Sequence, residues 1–444
     1  LSKKIFIKTF GCQMNEYDSN RISDLVKKIG YSKTKNEIDA DCYVLNTCHI
    51  REKSTEKVYD QVGRIRKAYK SNKKPILLVT GCVAQAEGEE MLKREKYIDG
   101  VIGPQSYHKI TDIIKRLEIK KDRINSTDFE VIEKFDKINL TKNNNSEVSS
   151  FISIQEGCDK FCHFCVVPYT RGPEYSRPPS EIISEAQQLI TNGSKEITLL
   201  GQNVNSYKSG NYKLSDLIKE LSYCKGLERI RYTTSHPRDM TEDLIEVHKN
   251  IEKLMPLLHL PVQSGSSKIL KLMNRKHNIE EFLDIMTKLK KAKPSIQFSS
   301  DFIIGYPGES EEDFNKTLSL MKKIKFINSF SFIFSPRPGT PASGLDNIDK
   351  ETSKKRLQLF QKISDDIKKK YKSKLVNQKV KVLFENKLAD QKKYFGRDEH
   401  LNSVIVSSEE DIVGKVLDVK IHDYNLNTLF GKIYNSYKKR NVAA

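Results

Sequence analysis

Gln155-Glu156-Gly157-Cys158-Asp159-Lys160-Phe161-Cys162-His163-Phe164-Cys165 is the stretch that decides how the chain is read. The apolar run at residues 151–155 predicts a β-strand, and three cysteines follow it at C-x3-C-x2-C spacing. Thiolates are soft ligands, suited to zinc or iron–sulfur clusters. A structural zinc site needs four protein ligands. Only three cysteines stand here, and His163 adjoins Cys162 too closely to share its metal easily. A cubane cluster usually takes four thiolates. Three leave one iron open, and an open metal position is where a substrate binds. Cys158, Cys162 and Cys165 are therefore expected to hold an iron–sulfur cluster, with zinc or unligated core cysteines as the plainer alternatives.

Three more of the eight cysteines share a different pattern. Cys12 follows a first strand in Thr9-Phe10-Gly11-Cys12-Gln13, Cys48 a second in Asn46-Thr47-Cys48, and Cys82 a third in Thr80-Gly81-Cys82. The carboxyl ends of strands in an open parallel sheet share one rim, where ligands bind. Convergence there predicts a second three-thiolate site, with Gly11 and Gly81 turning the backbone before their cysteines. The alternative is that small, semi-apolar cysteines fill the sheet edge. Cys42 and Cys224 fit neither set and are expected to be core or surface thiols.

Working outward, the chain is of the α/β class. Residues 1–118 alternate strands (5–7, 42–45, 76–79) with helices (19–29, 51–69 and one through Glu89 and Leu92), which predicts an open parallel sheet. Asp18 or Ser19 is the expected cap of the first helix. Residues 119–146 are polar and predict a linker, with Asn143-Asn144-Asn145-Ser146 inside it. From 147 to 374 the alternation resumes. Strands are expected at 151–155, 196–200, 229–233, 257–260, 296–304 and 328–334, with helices such as 180–191 and 279–291. Six βα units are too few for a closed eight-unit barrel, so a partial (β/α)6 barrel or an open sheet remains. A long basic helix, 350–374, closes this part. Residues 375–440 predict a small all-β module with strands at 379–384, 403–406, 415–421 and 429–434. It suits nucleic-acid binding, or serves as a structural cap.

Strand ends in the middle part could cradle a nucleotide-like cofactor: Gly201, Gln202 and Asn203; Ser235; Gln263; Asp301 and Gly305. They fall where barrel active sites lie. His236 and His259 are candidates for polar contacts, or satisfied structural histidines.

The bulk numbers agree. Mean hydropathy is −0.57 over 444 residues, and no apolar run approaches the roughly 18 residues of a membrane span. The N-terminal segment reads as a strand, not a signal peptide. The cytoplasm, where thiols stay reduced, is the expected location. A net charge of +19 favours a nucleic-acid partner, unless it reflects a general Lys-rich composition.

At these residues the chain resembles the radical-SAM methylthiotransferases along essentially its whole length. Cys12, Cys48 and Cys82 match that family's N-terminal domain, Cys158, Cys162 and Cys165 its radical-SAM (S-adenosylmethionine) motif, and the tail a TRAM barrel. The stretches 11–19, 155–162, Val166-Val167-Pro168-Tyr169-Thr170-Arg171-Gly172 and 201–207 resemble the group acting on N6-dimethylallyladenosine in tRNA. His163, His49 and Leu1 depart from the usual wording. The resemblance implies two 4Fe-4S clusters, one binding SAM and generating a 5′-deoxyadenosyl radical, the other carrying the sulfur. It implies methylthiolation of adenosine C2 at position 37, in the anticodon loop. It also implies an electron donor, a sulfur donor, a monomer and no membrane. A sister methylthiotransferase acting on another modified adenosine or a ribosomal protein is one rival. A zinc-stapled, non-catalytic RNA-binding protein is the other.

Overall fold

The computed structural model describes residues 2–48, 54–120, 122–128, 147–389 and 392–434. In the first unit, β1 (Lys3–Thr9), β2 (Tyr31–Lys33), β3 (Cys42–Thr47), β4 (Ile76–Gly81), β5 (Gly100–Ile102) and β6 (Ile124–Ser126) form one sheet, ordered β2-β1-β3-β4-β5-β6. Every pairing is parallel. Side chains alternate between faces along a strand. Val44 and Leu78 therefore pack with the helices Gln13–Lys27 and Ile110–Ile119, while Tyr43, Leu45, Leu77 and Val79 pack with Ser54–Ala68 on the other face.

Two expectations need correction here. The first helix begins at Gln13, not residue 19, with Cys12 as its N-cap. The Cys12 carbonyl accepts from the N–H groups of Asn15 and Glu16, and the polar residues Asn15, Asp18, Ser19 and Arg21 are buried within the helix. The sheet also continues past residue 118, because β6 lies in the expected linker and pairs with β5. The Asn143–Ser146 linker and residues 49–53, expected as helix from 51, lie outside the described residues.

The second unit opens with β7 (Ser149–Ser153). β8 (Gln155–Glu156) pairs antiparallel with β9 (Tyr175–Ser176), so the cysteine stretch is a loop clamped at its base. β10 (Glu196–Leu200), a short ribbon of β11 (Lys208–Ser209) and β12 (Tyr212–Lys213), β13 (Arg229–Tyr232), β14 (Leu257–His259), β15 (Gln297–Ile304) and β16 (Asn328–Ile333) follow. Two parallel three-stranded sheets, β13-β10-β7 and β14-β15-β16, are stitched by a bridge between Ile230 and Leu254. The result is a partial barrel with edges β7 and β16. The helix Lys350–Leu375 lies across it, the Phe360 and Phe302 rings packing tilted with centroids 4.8 Å apart.

The third unit is a closed barrel, β17 (Lys379–Lys387), β18 (Lys393–Asp398), β19 (Ser403–Ser407), β20 (Val416–Tyr424) and β21 (Thr428–Ile433), ordered β17-β18-β19-β21-β20. Sequence reading missed β18, whose glycine and charges break the apolar pattern; four strands would have left the barrel open. This unit docks on the amino ends of β10 and β13. Arg229 donates to the carbonyls of Arg397 and Lys381, at 2.8 and 3.0 Å. Arg231 donates to those of Glu399 and Asp398, at 3.0 and 3.1 Å, and to buried Glu196 at 2.9 Å. Among the described residues no helix is long and apolar enough to cross a membrane.

Candidate functional site

Gly157 leads the chain from β8 into the cysteine loop at φ +77°. An added Cβ would sit 1.8 Å from the Pro173 carbonyl oxygen. Its N–H donates to Gln202 Oε1 at 2.7 Å, and its carbonyl accepts from Gln155 Nε2 at 2.8 Å. The Gln155 Oε1 accepts from the N–H groups of Gln202 and Asn203, at 2.9 and 3.0 Å. One glutamine thus ties the cysteine loop to the strand end 201–203. Cys158 N–H donates to the Gly172 carbonyl, and Cys165 N–H to that of Cys162. Buried Arg275 approaches Cys162 Sγ at 3.6 Å. His163 lies at hydrogen-bond distance from the Leu272 carbonyl, through Nδ1 at 2.9 Å, which ties its ring to the backbone there.

Burial pushes the Cys158 and Cys165 thiols up to about 12. A metal must therefore displace their protons on binding. Cys158 and Cys165 each interact electrostatically with Cys162, and with one another.

β1, β3 and β4 are neighbours, and the strand order reverses beside β1. Cys12, Cys48 and Cys82 stand just past these three strands, at the switch point where open α/β sheets bind ligands. Gly11 leaves the space that Cys48 occupies: a Cβ there would lie 2.1 Å from Cys48 Cβ. A hydrogen bond with Cys48, reinforced by the Arg171 charge, lowers the Cys12 thiol to about 6. Burial raises Cys82, against the opposing pull of Arg171. Cys42 is fully buried within β3 and Cys224 packs half-buried on the second unit's core, as expected for non-ligands.

Among the described residues no three His, Cys, Asp or Glu side chains already close on a single metal ion. Among the described residues each triad is a set of neighbouring thiols with no fourth protein donor. That donor set suits a cluster with an open iron better than a closed zinc site.

The cofactor candidates divide. Gly201, Gln202 and Asn203 adjoin the cysteine loop. Asn203 Nδ2 donates to Asp239 at 2.8 Å and Glu174 at 3.2 Å, and Lys160 also binds Asp239 at 2.8 Å. Asn203 Oδ1, Ser235 Oγ and His236 Nε2 are buried with no hydrogen-bond partner among the described residues, a set of unsatisfied groups that fits a polar cofactor. Gln263 and Asp301 are joined through backbone, Gln263 N–H to the Asp301 carbonyl at 2.9 Å. The Asp301 carboxylate faces His259 Nε2 at 3.5 Å. Gly305 stands apart: its N–H is bonded to Glu309 at 2.9 Å, and Ser353 of the long helix occupies the place of a Cβ.

Sequence reading missed three features. The buried Arg171 links the two cysteine sites. Arg275 backs Cys162. Phe332, exposed on the edge strand β16, shares a cavity of about 310 Å³ with Cys12 and Cys48. Phe330, two residues earlier and also exposed, lines a cavity of about 540 Å³ inside the partial barrel, with Phe151, His259 and Arg397. The alternation in Ser329-Phe330-Ser331-Phe332 was the available signal.

Residues 4–103 match the family described as Uncharacterized protein family UPF0004, residues 152–321 the Radical SAM superfamily, and residues 373–434 the TRAM domain. The chain is 60% identical over 443 residues to the tRNA-2-methylthio-N(6)-dimethylallyladenosine synthase of Pelagibacter ubique (strain HTCC1062), covering 99% of each chain. It is 46% identical over 446 residues to the synthase of the same name from Rickettsia canadensis (strain McKiel), covering 98% of this chain and 100% of that one. Among solved structures, the radical S-adenosylmethionine methyltransferase TsrM of Kitasatospora setae, with cobalamin and a 4Fe-4S cluster bound, matches with a TM-score of 0.56. At 11% identity, covering 77% of each chain, that likeness is one of fold.

Proposed function

Because this chain belongs to the family of the tRNA-2-methylthio-N6-dimethylallyladenosine synthases, we propose that it adds a methylthio group to C2 of N6-dimethylallyladenosine at position 37 of tRNA. It is a radical-SAM enzyme, using SAM and a 4Fe-4S cluster, and its substrate is tRNA. Cys158, Cys162 and Cys165 would hold that cluster. Cys12, Cys48 and Cys82 would hold a second. The observation that carries this reading is that both thiol triads lie past the carboxyl ends of parallel strands, each backed by a buried arginine.

When bound, the first cluster supplies the electron that cleaves SAM reductively, and the second the sulfur that is inserted. The chain supplies placement. Gln155 and Gln202 fix the cysteine loop against the 201–203 turn. Asn203 Oδ1, Ser235 Oγ and His236 Nε2 offer polar contacts for SAM, with Gln263 and Asp301 deeper in the barrel. Cys162 is buried and Cys165 half-buried, so the chain would limit water's access to a group held there. Phe330 and Phe332 present aromatic faces on which an unstacked base can lie. On the third unit the exposed lysines Lys379, Lys381, Lys393, Lys420 and Lys432 suit a phosphate backbone.

The proposed division is a first unit extended to Ser126, a radical-SAM core at 147–374 and an RNA-binding barrel at 375–440. A monomer in the cytoplasm, served by separate electron and sulfur donors, completes the reading.

Anaerobic reconstitution tests it. About eight irons per chain are expected from two four-iron clusters. Stoichiometric zinc without charge-transfer absorbance would overturn it. Nucleoside mass spectrometry of tRNA from cells lacking the protein should show unmethylthiolated dimethylallyladenosine; unchanged nucleosides would refute the substrate.

A further inference from the structure

The helix Val167–Arg171 begins two residues after Cys165 and ends against the first unit. At about 1.5 Å per residue it is a strut of roughly 7.5 Å. Arg171, at its far end, is 2% exposed. Its Nη2 donates to Asp18 Oδ2 at 2.9 Å and to Asn15 Oδ1 at 3.2 Å. Its Nη1 lies 3.6 Å from Glu156 Oε1. Its carbonyl accepts from Gln105 Nε2 at 2.7 Å, and the same nitrogen reaches Glu156 Oε2 at 3.2 Å. Asn15 Oδ1 is also the atom to which Cys12 Sγ points, at 3.8 Å. The guanidinium and the Cys12 sulfur thus share one acceptor. Cys82 lies within the electrostatic reach of the same guanidinium.

Arg171, Asn15, Asp18, Gln105 and Glu156 form a ring of contacts in which two buried carboxyl groups, Asp18 and Glu156, lie against one arginine. Thiolates on a cluster add further negative charge, and Arg171 is the cation they face. Its planar fork can hold an acceptor on each nitrogen, which a lysine cannot reproduce.

We propose that Arg171 is a positioning residue for the cluster on Cys12, Cys48 and Cys82. Its guanidinium holds and charges the sulfur face beside Cys82 and Asn15, and its helix fixes that cluster relative to the Cys158, Cys162 and Cys165 site. This rests on the reading that the second triad binds a cluster. Positive charge beside a cluster favours its reduced, more negative state. Loss of such an outer contact typically weakens metal binding about 10–100-fold.

The test uses the full chain carrying Cys158→Ala, Cys162→Ala and Cys165→Ala, reconstituted anaerobically with iron and sulfide so that only the second site is loaded. Midpoint potential is followed by electron paramagnetic resonance during reductive titration, and iron retention by chelator challenge. Arg171→Gln should move the midpoint to more negative potential and release iron about 10–100-fold more readily. Arg171→Lys should restore much of the potential and little of the retention. Asp18→Asn, which removes a negative charge from the same ring, should move the midpoint the opposite way, whereas a merely damaged fold would move both variants alike. Arg171→Gln with the parent's potential and retention overturns the proposal. Shifts of the same sign in Arg171→Gln and Asp18→Asn also overturn it. A parent that binds no iron overturns the two-cluster reading beneath it instead.

Discussion

Replacing Gly157 by alanine asks whether backbone geometry holds the cysteine loop. The residue sits at φ +77°, a region that costs a residue with a Cβ roughly 1–2 kcal/mol. The new Cβ would lie 1.8 Å from the Pro173 oxygen, 2.4 Å from its carbonyl carbon and 2.6 Å from the Gly172 oxygen. These are backbone atoms and cannot rotate away, so the 172–173 segment must retreat by roughly 1.5 Å to reach ordinary contact. Gly172 is the acceptor for Cys158 N–H at 3.2 Å, and Gly157 itself is held by Gln202 and Gln155. Losing two or three such bonds, at about 1 kcal/mol each, brings the local cost to roughly 3–5 kcal/mol. The loop lies at a sheet rim, so the cost is met by displacing Cys158 rather than by unfolding the barrel. Iron after reconstitution should fall to about half, the other triad being untouched. SAM cleavage should fall about 100-fold, as expected for an ångström-scale misplacement. Gly210→Ala is the control: its φ is +60° and nothing lies within 4 Å of an added Cβ. It bears the backbone cost alone and should leave iron and rate unchanged. Full iron and a parental rate in Gly157→Ala would refute this reasoning.

A Cys12→Ala, Cys48→Ala, Cys82→Ala variant should keep about half the iron and still cleave SAM, but give no methylthiolated nucleoside by mass spectrometry. Arg231→Met removes the close partner of buried Glu196 and two bonds to the third unit; a loss of roughly 3–5 kcal/mol is expected, seen by calorimetry as earlier melting of the C-terminal barrel. Burial holds Lys372 down to about 8, below its ordinary 10.5. The unfolded chain therefore binds more protons between those values, and stability should rise with pH across that window; urea midpoints at pH 7.5 and 10 should show the rise, and Lys372→Met should flatten it. Lys379→Gln with Lys381→Gln should weaken tRNA binding and make the slope of log affinity against log salt shallower.

The placement of Cys12, Cys48 and Cys82 on one rim was legible because each closely follows an apolar run and a parallel sheet gathers strand ends, whereas Cys158, Cys162 and Cys165 were legible by their spacing in one loop. The partial barrel was legible from six alternations for the same reason. What stayed hidden depends on burial of polar side chains. Asn15 read as part of a polar turn, Asp18 as a possible cap and Arg21 as helix, yet all three lie buried in one helix because Arg171 and Glu185 arrive from the second unit to satisfy them. Neither partner is near in sequence, so local pattern could not predict the helix start. β6 and β18 were missed because their pairing partners, rather than their own residues, make them strands. Gly305 has a neighbour that the sequence pattern does not show. A glycine past a strand suggests a ligand cradle, but here a helix 48 residues further along fills the space.

Strand direction explains how one chain serves two tasks. The third unit grips the amino ends of β10 and β13 through Glu196, Arg229 and Arg231, while Gly201–Asn203 and the cysteine loop lie past the carboxyl ends. β10 has five residues, so these ends are roughly 17 Å apart. The barrel interior between them opens at the β7 and β16 edges, with Arg397 and Leu401 at one end of its lining and Phe330 on its wall. On the proposed function, an RNA backbone held by the basic barrel would lie about a strand's length from the cysteine loop, and a base extended from a loop would reach towards it. The cost of unstacking is least for such a base. On the proposed function, selection of an anticodon-loop adenosine follows from the length of a β-strand as much as from contacts to the base.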